Sequence, residues 1–494
     1  MNLSSLKKTE GAVLLAVLVV MMLTSMVVVS LLYQLRAESG AAAAGRRVEQ
    51  AWGAAMSGIY YAARLASEHP FEPEVWLDNP TELHNRLVYD DGIAKWYFTV
   101  YWARDVSQTV TAGVRYGLSD EASRLNVNEA ELESLRRLPA TDEGVVEALI
   151  AHSGEHSLAR AQQGRDPSPA AAARDHASFL GLGGQRDDDD RVYDNAPTRT
   201  FSNLNALLSV DGWSWATLYG EDANLNFLLE RTEDDGDVTL PLDNQNGRLD
   251  RGLSAFLTVR NDQWAVDQRN AKQVDLNGPL EPLATNGLTE QTLEFLRAVR
   301  KARPASRFRH PVELLNAVVK LDIGEEGNAD DESKKRDEPQ EVRSGVGVED
   351  IAFLLDRVTT EPGGPHASGR LNVHTASAAV LSLLPGIDES LADAIVASRD
   401  DLELESRKTI AWLLEKGLVD ADKFREIAPQ LTARSFQYRM RVVGYGLPAG
   451  NYRVLEAVVD VGDGAGAPRI RYLRDLTRLG LPLPLLSSEE ENGG

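Results

Sequence analysis

The 494 residues carry 75 acidic side chains against 52 lysines plus arginines, no cysteine, 43% hydrophobic and 26% charged residues. The formal charge of −23 argues against a surface that coats nucleic acid, because an acidic protein repels phosphate backbones at long range. The lack of cysteine excludes disulfide scaffolds, thiol catalysis and thiolate metal sites, and the length suits about two to four folding units.

Residues 1–11 (MNLSSLKKTEG) are short and polar, and Ala12 opens an apolar stretch to Tyr33 that is broken only by Thr24, Ser25 and Ser30. As a helix, about 22 residues reach ~33 Å, enough for a bilayer core. A single membrane span at 12–33 follows. The stretch exceeds the ~7–15 residues of a secretory h-region, whose cleavage would fall at the alanines 41–44. No proline occurs between Ala12 and His69, and alanines dominate 41–66, which predicts one helix of ~55 residues. Trp52, Met56, Tyr60 and Leu65 are spaced for its buried stripe.

Segments 96–102 (WYFTVYW), 110–116 (VTAGVRY), 436–443 (FQYRMRVV), 452–461 (YRVLEAVVDV) and 469–472 (RIRY) are rich in aromatic and β-branched residues, and read as five strands of one antiparallel sheet. Between them, 125–435 is mostly helical in pattern. The expected class is α+β, with a sheet domain at 34–124 and 436–485, a large helical insertion at 125–435, and an acidic tail at 486–494. Within the insertion, 154–173 and 322–345 are polar or charged and too poor in apolar residues to fix one conformation.

The insertion holds a repeat. Segment 125–150 laid on 371–396, at a constant offset of 246, shares LNV, then Ala130/Ala376, Leu135/Leu381, Leu138/Leu384, Pro139/Pro385, Asp142/Asp388, Glu143/Glu389 and Ala148/Ala394. Each copy reads as a helix, a proline turn and a second helix whose first turn carries Asp and Glu, which suit the positive end of the macrodipole. The second copy resembles the helix-hairpin-helix of DNA-binding competence and repair proteins, where a Gly-rich turn offers amides to phosphate. Here Asp388 replaces the second glycine of that turn, and Arg399 is the only cation of the stretch. The units read as structural hairpins rather than DNA clamps.

A basic leader ending in Gly11, an apolar span directly after it and a continuous amphipathic helix resemble the class 3 signal of type IV pilins and of the pseudopilins of type II secretion. The resemblance implies cleavage by prepilin peptidase between Gly11 and Ala12, with methylation of the new amino group. Most such proteins have Phe or Met at the first mature position and Glu at the fifth; this chain has Ala12 and Ala16. In the family, the missing fifth-position Glu marks the K-type minor pseudopilin. That carboxylate would compensate a neighbour's amino terminus inside lipid, where unpaired charge is strongly disfavoured, and a subunit at the filament tip has no neighbour above it. Asp120-Glu121 with LNVN at 125–128, LNVHTA at 371–376 with LPG at 384–386, FSNLNALLSV at 201–210 and SFQYRMRVVGYG near the end are similar to phrases of the K-type proteins, so the resemblance runs through most of the chain. It implies a pilin-like fold with an inserted helical domain and a single-pass inner-membrane anchor, the large domain lying in the periplasm. It further implies a tip complex with the I- and J-type minor pseudopilins above the major pseudopilin. Two other classes stay open: a membrane-tethered DNA-binding protein using the hairpins, and a calcium-binding bitopic scaffold with an uncleaved leader.

Asp222, Asn224, Asn226, Leu228, Glu230 and Glu233 occupy positions 1, 3, 5, 7, 9 and 12 of an EF-hand-like loop (DANLNFLLERTE). Calcium wants six to eight oxygens, from alternating side chains, one backbone carbonyl and a terminal bidentate carboxylate. Position six is Phe227 rather than glycine. Directly downstream, Asp243, Asn246 and Asp250 add hard oxygen donors. A solvated acidic loop with Asx turns is the competing reading, and the resemblance adds weight to calcium because K-type pseudopilins are similar in using it in their helical domain. Asp187–190 reads as a solvated turn, and His152 and His156 as surface residues, since zinc would need a third ligand. No Ser/His/Asp signature, phosphate loop or catalytic carboxylate pair appears, so no motif points to an enzyme.

Overall fold

A computed structural model describes residues 4–104, 113–139, 143–153, 200–321 and 340–481, apart from Ile93, Asp237, Gly364, Ala449, Asp463 and Ala465. The first element, α1 (Ser4–Glu68), is one continuous helix of 65 residues, as expected of a proline-free, alanine-rich run. From 13 to 35 its large apolar side chains are all exposed, and it is long and apolar enough to cross a membrane.

The second half of α1 lies on a sheet, through a face that differs from the expected stripe. Ala51, Ala54, Ala55, Ile59, Ala62, Ala63 and Ala66 are buried, whereas Tyr60 is 48% exposed and Trp52, Met56 and Leu65 flank the contact half-buried. The reason is close approach. A Cβ on Gly58 would stand 2.7 Å from Val442, and one on Gly444 would stand 2.2 Å from the carbonyl oxygen of Ala51. Helix and strand backbones meet too closely for large side chains between them, so the small residues face inward.

The sheet has strands β1 (Arg86–Asp90), β2 (Lys95–Ala103), β3 (Gln437–Leu447), β4 (Asn451–Asp460) and β5 (Arg469–Asp475), all antiparallel and in that spatial order. β1 was not anticipated from the sequence. Its Leu87, Val88 and Tyr89 are exposed, as an edge strand permits, so it lacks the strong apolar pattern of its neighbours. The expected strand at 110–116 is reduced, among the described residues, to Val114–Arg115 against the end of β2. Ser119–Asp120 pairs with Tyr438 and Arg439 of β3.

Alternation along the strands gives the sheet two dressed faces. Phe98, Val100, Tyr438, Met440, Val442, Leu455, Ala457 and Val459 pack under α1. Tyr97, Tyr101, Val443, Tyr445 and Val454 form the opposite face, which is met by Phe227 of the acidic loop. Residues between Leu125 and Ala433 build a separate, larger apolar core. This α+β arrangement of a long amino-terminal helix on an antiparallel sheet positions everything that follows.

The two repeat copies open with the same local geometry. Leu125–Asn126 pairs in parallel with Leu257–Thr258, and Leu371–Asn372 with Leu431–Thr432. The Asn126 and Asn372 side chains each accept from the amide two residues on, at 3.1 and 3.0 Å, and their carbonyls accept from Ala130 and Ala376. Each asparagine is thus an Asx turn that stops a two-residue strand and aims the chain into a helix. The second helices are Glu143–Ser153 and Glu389–Arg399.

Candidate functional site

The acidic loop begins where Trp215–Tyr219 ends at Gly220, whose φ of +63° turns the chain. A side chain there would collide with the Asp250 carbonyl oxygen, 2.3 Å from its Cβ. Glu221 then ties both ends of the acidic region: its amide donates to the Asp250 carbonyl at 2.8 Å, and its Oε2 accepts from the Asp250 amide at 3.1 Å.

The loop itself folds around its own carboxylates. Asp222 accepts from the amides of Asn226 (2.9 Å) and Phe227 (3.3 Å); Asn224 accepts from Asn226, and Asn226 from Leu228. Glu233 accepts from Ala223 at 3.0 Å and from Glu230 at 3.1 Å, while the Asn226 amide donates to Glu230. Phe227 takes φ +68° at the position where an EF-hand needs glycine for its sharp turn. The strain of that conformation in a bulky residue is offset by burial. Its ring sits against Tyr101 and Trp102, with centroids at 6.5 and 5.0 Å, and the Arg441 guanidinium lies 3.8 Å from its centre. The Leu225 carbonyl accepts from Arg441, so the loop is docked on the sheet at two points.

Asp222 and Glu233 are each 2% exposed and Glu221 is 5% exposed. Burial pushes the Asp222 carboxyl up, against the pull of Arg441. It does the same to Glu233, helped by Asp222, and to Glu221, helped by Asp250 and Asp243. Asp222 and Glu233, held out of water with raised proton affinity, are hard-oxygen donors that a divalent cation would neutralise, whereas Glu221 lies with Asp243 and Asp250. Among the described residues no three His, Cys, Asp or Glu side chains converge closely enough to hold a metal ion by themselves. A cation here would therefore draw on Asn224, Asn226 and the Leu228 carbonyl as well, which is the mixed ligation that calcium accepts. The residues fit on donor chemistry.

The downstream donors do not join that set. Asp243 organises its own turn, accepting from the amides of Asp235, Gly236 and Gln245. Asn246 accepts from Arg248, and Asp250 from Gly252. Glu221 belongs with these, tied to Asp250 by two hydrogen bonds. Sequence spacing missed it because it precedes the first loop position, and the adjacent acidic pair Glu221-Asp222 was the available signal.

A second buried carboxylate pair lies at the junction of sheet and insertion. Asp120 Oδ2 accepts from Asn372 (2.9 Å), Ser435 (2.6 Å) and Thr375, joining the strand before the first repeat copy to the second copy and to the entry of β3. Glu121 meets Arg124 and Arg439, each at 2.7 Å, and the Thr258 hydroxyl. Burial alone would raise Glu121, but the two guanidiniums and the hydroxyl bring it down to about 2.

Of the remaining expectations, Gly11 and Ala12 lie on the backbone of α1, ahead of the first described side chains. Asp187–190 and His156 lie outside the described residues, and the His152 ring stacks on Phe201 at 5.1 Å. In the second repeat copy Gly386 turns at φ +84°, and Asp388 caps the following helix by accepting from the Leu391 amide at 2.8 Å. A carboxylate therefore stands where a phosphate clamp would need open amides. No family model matches this chain, and no curated protein matches it.

Proposed function

We propose that this chain is a minor pseudopilin of K type. In this reading it sits at the tip of a type II secretion pseudopilus, where it starts assembly and supports protein export. The observation that carries the reading is α1 itself: one helix supplies an exposed apolar segment long enough for a bilayer and then an alanine face seated on an antiparallel sheet. A filament subunit needs both, since the apolar half must pack beside other such helices in and above the membrane, while the sheet domain projects outward. The finer reading is a pilin-like sheet domain carrying an inserted helical domain with two hairpin units. The length of chain between β2 and β3 and the matched Asx turns of the two copies support it.

The leader would be cut between Gly11 and Ala12, and the I- and J-type minor pseudopilins would be its neighbours. The large domain would stand on the periplasmic side of the inner membrane. Calcium would be held by the 222–233 loop, and would supply charge neutralisation rather than chemistry. The capped turn at Asp388 favours structural hairpins over a DNA receptor. Deleting the gene in its host tests the function: exported substrates should accumulate in the periplasm and be released again when the gene is restored on a plasmid. Unchanged secretion in the deletion strain contradicts the reading.

A further inference from the structure

The two repeat copies differ at one matched position in what they do with a polar side chain. At the offset of 246, Glu129 of the first copy corresponds to Thr375 of the second. The Thr375 hydroxyl is spent inside the fold, where it donates to Asp120. Glu129 follows the Asx turn of Asn126, its amide bound to the Asn126 carbonyl at 3.0 Å, yet its carboxylate has no hydrogen-bond or ion-pair partner among the described residues. It is half-buried and borders a cavity of about 280 Å³ whose walls come from both copies.

The charges that act on Glu129 are those of Asp262 and Glu361, both negative. Burial first, and then these two, push its carboxyl up. Glu361 is itself already met by Arg370 and His366, each at 3.0 Å. Burial pulls the His310 ring, on the same wall, down to about 3 and keeps it neutral. Arg309 and Glu131 also border the cavity, but both are exposed and opposite in sign. Two further oxygens of the wall are uncommitted. Ser134 is 1% exposed, and its hydroxyl makes no hydrogen bond among the described residues. Gln430 gives its amide nitrogen to the Pro385 carbonyl at 3.1 Å, which leaves a buried Oε1 without a partner among the described residues. Buried polar atoms are rarely left so, because the lost hydration is costly.

A carboxylate, a hydroxyl and an amide oxygen all accept, and a primary ammonium is the group that brings three donors, a positive charge and no acceptor. Leu125, Ala130 and Leu384 give the cavity an apolar wall against which an alkyl stem can lie while its charged head reaches the oxygens. A bare metal ion fits less well, since among the described residues no three His, Cys, Asp or Glu side chains converge to hold one. The volume is near the lower end of the ~300–1,000 Å³ of small-molecule pockets.

We propose that this cavity binds a primary ammonium group on a short alkyl stem, as carried by a free diamine or by a lysine side chain, with Glu129 as its counter-ion and Ser134 and Gln430 as hydrogen-bond acceptors. The assignment goes beyond the pseudopilin reading and does not depend on it.

The test is calorimetric titration of the full-length chain, in a non-ionic detergent at constant ionic strength, with cadaverine, with the methylamide of acetylated lysine and with tetramethylammonium chloride. One saturable site per chain is expected for at least one of the two amines, and the tighter of them identifies the source as a free diamine or a protein side chain. Tetramethylammonium, which has the charge but no N–H, should bind about tenfold more weakly. Glu129→Gln should weaken the tighter amine by about tenfold or more, the loss of one charge-assisted contact, and Ser134→Ala by about fivefold. Glu290→Gln, which removes an exposed carboxylate paired with Arg297, should leave the affinity unchanged. Without ligand, Glu129→Gln should keep or raise the wild-type thermal midpoint, so that lost binding is distinguished from lost folding. No saturable heat with either amine, tetramethylammonium matching them, wild-type affinity in Glu129→Gln, an equal loss in Glu290→Gln, or a lowered midpoint in Glu129→Gln would each overturn the proposal.

Discussion

Two buried acidic pairs differ in what the fold supplies to them. At the junction of sheet and insertion, Asp120 and Glu121 are enclosed by groups supplied by the protein: two arginines, three hydroxyls and an amide. Burying Glu121 is therefore compensated inside the fold by the two guanidiniums, and its proton affinity falls, whereas burial raises Asp120 against its hydrogen bonds from Ser435, Thr375 and Asn372. In the acidic loop, Asp222 and Glu233 are about as deeply buried but accept chiefly from backbone amides, beside further carboxylates, and their proton affinity rises. The first pair is finished structure, whereas the second has the chemistry of a site that wants a cation. Identical residue types at similar depth thus mean different things, and the partners decide which.

The largest effect that would sharpen this contrast is expected from Glu121→Gln. It leaves Arg124 and Arg439 buried without their shared carboxylate, and should cost about 3–5 kcal/mol in urea unfolding, as for other broken buried pairs. A loss under about 1 kcal/mol would mean that the junction is wetter than its geometry indicates. Calcium comes next. At a hundredfold excess over its dissociation constant it should add about 2.7 kcal/mol of stability, read as a raised thermal midpoint that chelator reverses. Asp222→Ala and Glu233→Ala should each abolish the shift, and a shift that survives both removes these ligands from the assignment.

Asp222→Asn should part the two pairs by sign. In chelator at pH 7 it deletes an unfavourable buried charge and is expected to be neutral or stabilising, by under about 1 kcal/mol, while Glu121→Gln is destabilising under the same conditions. Strong destabilisation by Asp222→Asn in chelator would erase the distinction. The pH dependence due to Glu121 should also run opposite to that of the loop carboxylates. Glu121, held at about 2, contributes stability that is complete above the ordinary glutamate value near ~4.3 and is lost as pH falls from there toward 2. Asp222, Glu221 and Glu233, raised by burial, contribute in chelator a gain present below their ordinary values near ~4 and lost as pH rises through their folded values. Comparing wild type with Asp222→Asn at pH values above the ordinary carboxylate value near ~4 isolates the second slope, and calcium should flatten it.

Much of the architecture could be read from residue patterns, for reasons that particular segments make plain. WYFTVYW at 96–102 and the long run at 436–447 are central strands buried on both faces, so their composition is unambiguous. RLVYD at 86–90 is an edge strand with a bulge between Leu87 and Tyr89, and four of its five residues are exposed. The α1 contact misled because periodicity weights large side chains, while the requirement set by Gly58 and Gly444 is smallness. In the acidic region, oxygen-bearing residues at alternate positions marked the loop, but only three dimensions show that Glu221 is tied to Asp250, that Asp243 and Asn246 form a turn of their own, and that Phe227 is tolerated at the sixth position because the sheet receives its ring. The repeat offset of 246 was legible in the Asn-Val pairs, and its physical meaning, two equivalent Asx turns, required hydrogen bonds.

In the proposed function, α1 is the assembly helix of a processed pseudopilin. The most direct measurement is the amino terminus of the protein isolated from its native membrane, read by mass spectrometry. A chain that starts at a methylated Ala12 is expected. A chain that keeps Met1, or that begins after the alanines at 41–44, would contradict it.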